Sequence, residues 1–460
     1  MTGLDRRDFI RRSALASGVL LAPSLTGLIS CAKRATFNGD ASTRGARIGK
    51  GGYGQLSPSK EVDGIISIPT GFHAALLSTA GDPMIGGVVP NAFDGMAAYA
   101  AGSGLVRLVR NHELRDVPSS NPRPFADRPY DSKGPAGTTT LEIRLGPAGE
   151  ATLVKQFPSL AGTFVNCAGG TTPWGSWITC EETGAGTAEG WQKNHGYNFE
   201  IPASADDVVA PLALKAMGRF EHEAVATDPA TGWIYQTEDR TPSGFYRFKP
   251  FVYGQLAQGG TLEILAIDGE PGYDTRTNQR LFTSMKVTWV PIEQPDSDAA
   301  TLPSGFVFNQ GEGAARFARL EGCWYGDNSI FFNATSGGNA GAGQVWQYHI
   351  GRQELQLIFE SPSADILNGP DNIYVSPRGG IVICEDGPGT NFVRGLTKDG
   401  AIFDLVRNNL NRSEWTGACF SPQGRTLFVN IQGETRPLQN PTGDKGMTFG
   451  IWGPWSLGAL

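Results

Sequence analysis

The amino-acid sequence predicts an all-β fold, a six-bladed β-propeller with a metal site on its axial face, and three observations lead to it. Helix is scarce: across 460 residues only Ala203 to Met217 shows anything like a helical apolar period, and Pro211 interrupts it. Glycine supplies 62 residues, about one in seven, and 30 prolines fall without the three-residue period of collagen, so tight turns are dense. One pattern also recurs along the chain. A short apolar strand meets a turn of Gly, Pro, Ser or Asp, and a second strand follows that ends in polar or acidic residues.

Taken in order, residues 1–31 read as an address. Asp5-Arg6-Arg7-Asp8-Phe9-Ile10-Arg11 precedes an apolar stretch from Ala14 to Ile29, which resembles a twin-arginine export signal and implies the twin-arginine export machinery as a partner. Leu28-Ile29-Ser30-Cys31 looks like a lipobox, and lipidation of Cys31 is the one route to a membrane that the sequence offers. The expected location is periplasmic or at the cell surface. Residues 32–60 are rich in glycine and read as a leader or a surface arm, and residues 61–460 as the single propeller domain.

Within that domain the pattern recurs six times, at Met96 to Glu113, Phe164 to Glu182, Glu223 to Asp239, Gly322 to Thr335, Asn372 to Asp386 and Ala418 to Gln432. The intervals leave room for two further strands per unit, which is the blade of a propeller. A large β-sandwich is the alternative, since hairpins dominate it too. Only the propeller brings the start of each first strand and the end of each second strand to one rim.

That rim collects Asn111-His112-Glu113, Cys180-Glu181-Glu182, Glu238-Asp239-Arg240, Asn333, Cys384-Glu385-Asp386 and Asn430 from the second strands. The first strands add Asp94, Asn166, Glu221-His222-Glu223, Arg319, Glu321, Asp371, Asn372 and Glu414. So many carboxylates at one rim repel one another unless cations neutralise them. Hard oxygen donors suit Ca²⁺, and a thiolate such as Cys180 among them suits a softer transition ion. Two adjacent ions could polarise a substrate oxygen and supply a nucleophile. Because neighbours on a strand face opposite sides, Glu113 and Glu223 are favoured over His112 and His222, and Cys180 shares a face with Glu182 if the strand continues. Arg319, two residues before Glu321 and so on the same face, could grip an anionic substrate or equally form a structural ion pair with a neighbouring carboxylate.

Other classes lose their motifs. A formal charge of −7 offers no basic field for nucleic acid, and no apolar run of 18 residues exists in the body of the chain. The six cysteines contain no CxxC and no zinc spacing, and with Cys31 processed an odd number remains, so at least one thiol is unpaired. There is no GxSxG elbow, Walker-A loop or HExxH.

The run Gly169-Gly170-Thr171-Thr172-Pro173-Trp174-Gly175-Ser176-Trp177-Ile178-Thr179-Cys180-Glu181-Glu182 resembles the PhoX-type alkaline phosphatase family, as do Asn111-His112-Glu113, Arg219-Phe220-Glu221-His222-Glu223, Arg319-Leu320-Glu321-Gly322 and Ser421 to Asn430. The likeness extends from about residue 60 to the C-terminus. It implies a six-bladed propeller whose axial site holds Fe³⁺ and Ca²⁺ and hydrolyses phosphate monoesters. By that resemblance Cys180 bridges the irons, Glu223 and Glu321 ligate metal, Arg319 contacts phosphate, and Glu113, Glu182, Glu385 and Asp386 are further ligands. Glu181, Glu221, Asp239, Asp371 and Asn372 complete the candidates. The chain is shorter than the phosphatase branch and has Gln432-Gly433-Glu434-Thr435 where that branch has Gln-His-Pro-Gly. Two other functions fit the residues: a calcium-dependent lactonase or arylesterase that relies on Asn372 rather than Cys180, and a non-catalytic propeller that calcium merely stabilises.

Overall fold

The computed structural model describes residues 47–49, 51–119 and 124–460, and over them the chain is all β and propeller-like. The export signal and the lipobox at Cys31 lie outside the described residues. The expected hairpins appear as Phe93–Ala100 with Leu105–His112, Asn166–Thr171 with Ser176–Glu181, and His222–Thr227 with Ile234–Glu238. They continue as Leu320–Gly326 with Ser329–Ala334, Pro370–Val375 with Ile381–Glu385, and Trp415–Phe420 with Thr426–Ile431. Each is extended outward by antiparallel strands. The first strands of successive sheets touch in cyclic order, and Trp415–Phe420 returns to Phe93–Ala100. The early strand His73–Thr79 completes a sheet with Met447–Trp452, so the two ends of the body are hydrogen-bonded in one sheet.

Apolar side chains on alternating positions of these strands pack between neighbouring sheets. Trp177, Tyr197 and Phe199 fill one such layer, and Tyr235, Phe245, Phe332 and Trp346 another. The stretch Ala203 to Met217 is mostly irregular, with one 3₁₀ turn at Lys215–Met217, since Pro211 blocks helix propagation. Leu56–Pro58 pairs with Ile66–Pro69, and Arg47–Ile48 lies parallel to Ala401–Asn408, so sheet pairing begins before residue 61. Cys167, Cys180, Cys323, Cys384 and Cys419 are all free and buried. Among the described residues no helix is long and apolar enough to cross a membrane.

Candidate functional site

Each hairpin carries a register shift at the same place in its first strand: between Phe93 and Met96, Asn166 and Gly169, His222 and Val225, Leu320 and Cys323, Pro370 and Ile373, and Thr416 and Cys419. A bulge inserts a residue and re-aims a side chain. The first residue inside these bulges is in turn Asp94, Cys167, Glu223, Glu321, Asp371 and Gly417. The second is small in most of them, because the first strands crowd together there. A Cβ on Gly95 would sit 2.5 Å from Ala168 Cα, and one on Gly322 would sit 2.5 Å from the Asp371 carbonyl oxygen.

A second tier comes from the residue just past the second strand, which is Glu113, Glu182, Asp239, Asp386 or Gln432. Both tiers except Gly417, with Glu414, Arg115, Arg319 and Thr435, line one cavity of about 230 Å³. Nine carboxyl groups and two guanidinium groups face it. Arg319, whose φ of 51° is left-handed, donates from Nε and Nη2 to the two carboxylate oxygens of Asp239 at 2.9 and 2.7 Å, and from Nη2 to Glu321 at 2.9 Å. Arg115 donates from Nε to Glu113 at 2.6 Å and from Nη2 to Glu182, and its guanidinium is ion-paired with both. Gln432 donates to Asp94 at 3.1 Å and Glu113 at 2.5 Å, so the segment that departs from the phosphatase pattern begins at the ring itself.

Burial pushes the carboxyl groups of Asp94, Glu223, Glu321 and Glu414 well above their ordinary range, and neighbouring carboxylates push further. Glu182 is raised by burial against the opposing pull of Arg115. Asp371 is raised to about 7 by burial and by Asp386. Burial also raises the Cys167 thiol, with Glu223 and Glu182 adding to the effect.

The structure brings together Glu113, Glu182, Glu223, Asp239, Arg319, Glu321, Asp371 and Asp386. It corrects the thiol. Cys167 is the sulfur that lines the cavity, whereas Cys180, in the same apolar cluster with Ile178 and Met217, does not reach it. The physical reason is that the strand ends at Glu181, so alternation fails and Glu182 turns to the cavity without Cys180. Glu385 and Glu181 are corrected likewise. Glu385 accepts from the backbone of Asn368 and Phe392 and pairs with Arg394 at 2.8 Å. Glu181 accepts from the backbone of Phe164, Gly196 and Tyr197 and from His195 at 2.7 Å. Both tie down loops behind the cavity.

The Glu221 backbone bridges to that of Glu182, outside the cavity lining. Asn372 Oδ1 accepts from Gly417 N at 2.6 Å, in the narrow channel beneath the ring. Cys167 was obscured by the more familiar Cys-Glu-Glu ending, and Arg115 lies in a loop with no periodic signal. The readable signal for the upper tier is a carboxylate or thiol followed by a small residue, as in Asp94-Gly95, Cys167-Ala168, Glu223-Ala224 and Glu321-Gly322.

The donor set fits metal. Ligand atoms of Cys167, Glu182 and Glu223 lie within 4.8 Å of one another, as do those of Asp94, Glu113 and Glu414, of Glu223, Glu321 and Asp371, and of Asp371, Asp386 and Glu414. The first group mixes sulfur with oxygen, and the other three are all oxygen.

A propeller-like body with an acidic, arginine-bearing cavity defines the class, an alkaline-phosphatase-type phosphoric monoester hydrolase. A family model described as alkaline phosphatase PhoX matches residues 51–434, and the chain belongs to that family. Pseudomonas fluorescens PhoX, solved in complex with vanadate as a transition-state analogue, is 18% identical, with a TM-score of 0.66 over 88% of this chain and 98% of that one. A gluconolactonase from Xanthomonas campestris is 12% identical, with a TM-score of 0.43 over 88% of this chain and 98% of that one. No curated protein sequence matches.

Proposed function

We propose that the protein is an extracytoplasmic, iron- and calcium-dependent phosphomonoesterase built on a six-bladed propeller. The blade count is supported by the six bulged hairpins and the cyclic contacts of their first strands. Export rests on Arg6-Arg7 and the apolar stretch behind them. Cys167, Glu182 and Glu223 would hold iron, and the three all-oxygen groups would hold calcium. Bound there, such ions supply Lewis acidity toward a phosphoryl oxygen and activate water at neutral pH.

The chain's own contribution is to bind and orient. Asp239 and Glu321 hold the Arg319 guanidinium in place before substrate arrives, so no reorganisation is needed as charge builds on the phosphoryl oxygens. The observation that carries the reading is this preset guanidinium within a ring of carboxylates that demands cations.

The test is elemental analysis of protein purified without chelator, alongside hydrolysis of p-nitrophenyl phosphate. Iron and calcium with turnover are expected, and Arg319→Ala should lower kcat/KM about a hundredfold. Calcium alone with no phosphate release would sink the proposal.

A further inference from the structure

The cavity holds a second guanidinium, that of Arg115, to which neither the sequence pattern nor the reaction outlined above gives a part.

Arg115 and Arg319 are mounted alike. Carboxylates hold Nε and Nη2 of each: Glu113 and Glu182 on Arg115, Asp239 and Glu321 on Arg319. In neither does Nη1 meet an acceptor among the described residues, and both side chains are about a third or more exposed, at 34% and 43%. Glu182 lies against Asp239, so the two forks stand on either side of one carboxyl pair at the same cavity. Asp386 lines the same cavity; burial raises its carboxyl, and both guanidiniums oppose that rise.

We propose that Arg115 is a second phosphoryl-binding guanidinium, and that with Arg319 it selects dianionic phosphate monoesters over monoanionic diesters. The proposal rests on the phosphomonoesterase reading above. A monoester offers three non-bridging oxygens and two negative charges, enough to engage two forks, whereas a diester offers two oxygens and one charge.

The test compares wild type, Arg115→Met and Arg115→Lys for binding of inorganic phosphate by calorimetry and for hydrolysis of p-nitrophenyl phosphate and bis(p-nitrophenyl) phosphate, with bound metal measured in each. Arg115→Met should lose about tenfold or more in phosphate affinity and in monoester kcat/KM, with the diester rate little changed and metal content intact. Arg115→Lys should fall between, because it keeps the charge and loses the fork. Unchanged phosphate affinity in Arg115→Met overturns the proposal, as does a loss that merely follows loss of metal, which would make Arg115 a counter-ion. If Arg115→Met does not fold, wild-type affinity and preference in Arg115→Lys overturn it. A wild-type protein that neither binds phosphate nor hydrolyses the monoester removes the underlying reading and this proposal together.

Discussion

A single inserted residue decides which sulfur reaches the cavity. Cys167 occupies the bulge between Asn166 and Gly169 and lines the cavity, whereas Cys180 sits on the regular strand opposite and does not. The two thiols are both buried, so burial alone does not separate them, but the groups around them do. Cys167 meets Glu182 and Glu223, and its thiol contacts the carbonyl oxygens of His222 at 3.3 Å and Glu223 at 3.5 Å. Cys167→Ala is therefore expected to abolish bound iron and activity, and to melt no lower than chelated wild-type protein. Cys180→Ala should keep metal and turnover while losing roughly 1–2 kcal/mol of stability. Elemental analysis and thermal melts of both variants check this, and iron loss in Cys180→Ala alone would return the role to Cys180.

At the level of the hairpin, the strand's last residue and the one after it divide the work. Glu181, Glu238 and Glu385 turn away from the cavity to hold loops, and Glu182, Asp239 and Asp386 turn into it. All six hairpins were legible because apolar strands and Gly or Asp turns alternate in the chain. The strand ends and the bulges are not legible in the same way: the second strands stop at Glu181 and Glu385, so alternation does not carry Cys180, Glu181 or Glu385 into the cavity, and the bulge that puts Cys167 there leaves no mark in a count by twos. Behind Glu181, fully buried His195 lies 2.7 Å from Glu181 and 3.5 Å from Asp131. Burial lowers its pKa, but the two carboxylates outweigh this and raise it to about 9. Its stabilisation is complete below the ordinary value near 6.5 and is lost as pH rises through about 9. His195→Gln should cost roughly 3–5 kcal/mol at pH 6 by leaving buried carboxylates unpaired, and the difference from wild type should shrink by pH 10. Denaturant melts at both pH values measure it; a difference that does not shrink would show that packing, not charge, sets the cost.

Across the whole molecule, the ring draws its carboxylates from sheets all around the body, so whatever neutralises them also ties those sheets together. Without cations, protons must do it. Asp94, Glu182, Glu223, Glu321, Asp371 and Glu414 all have raised pKa values, Asp371 to about 7. For an acid raised in the folded state, the native form holds the extra proton. Its stabilising contribution is present below the unfolded value, near 4, and is lost as pH climbs through the folded one. Chelated protein should therefore melt at progressively lower temperature as pH rises from 4 to 7 and above. Cation-loaded protein should show the opposite trend over the same range, because protons compete with metal for the carboxylates. The two curves should diverge with rising pH, and calorimetry with and without chelator measures the gap. A chelated protein whose melting temperature stays level from pH 4 to 8 would mean that Arg115 and Arg319 suffice to neutralise the ring, and that cations serve the reaction and not the fold.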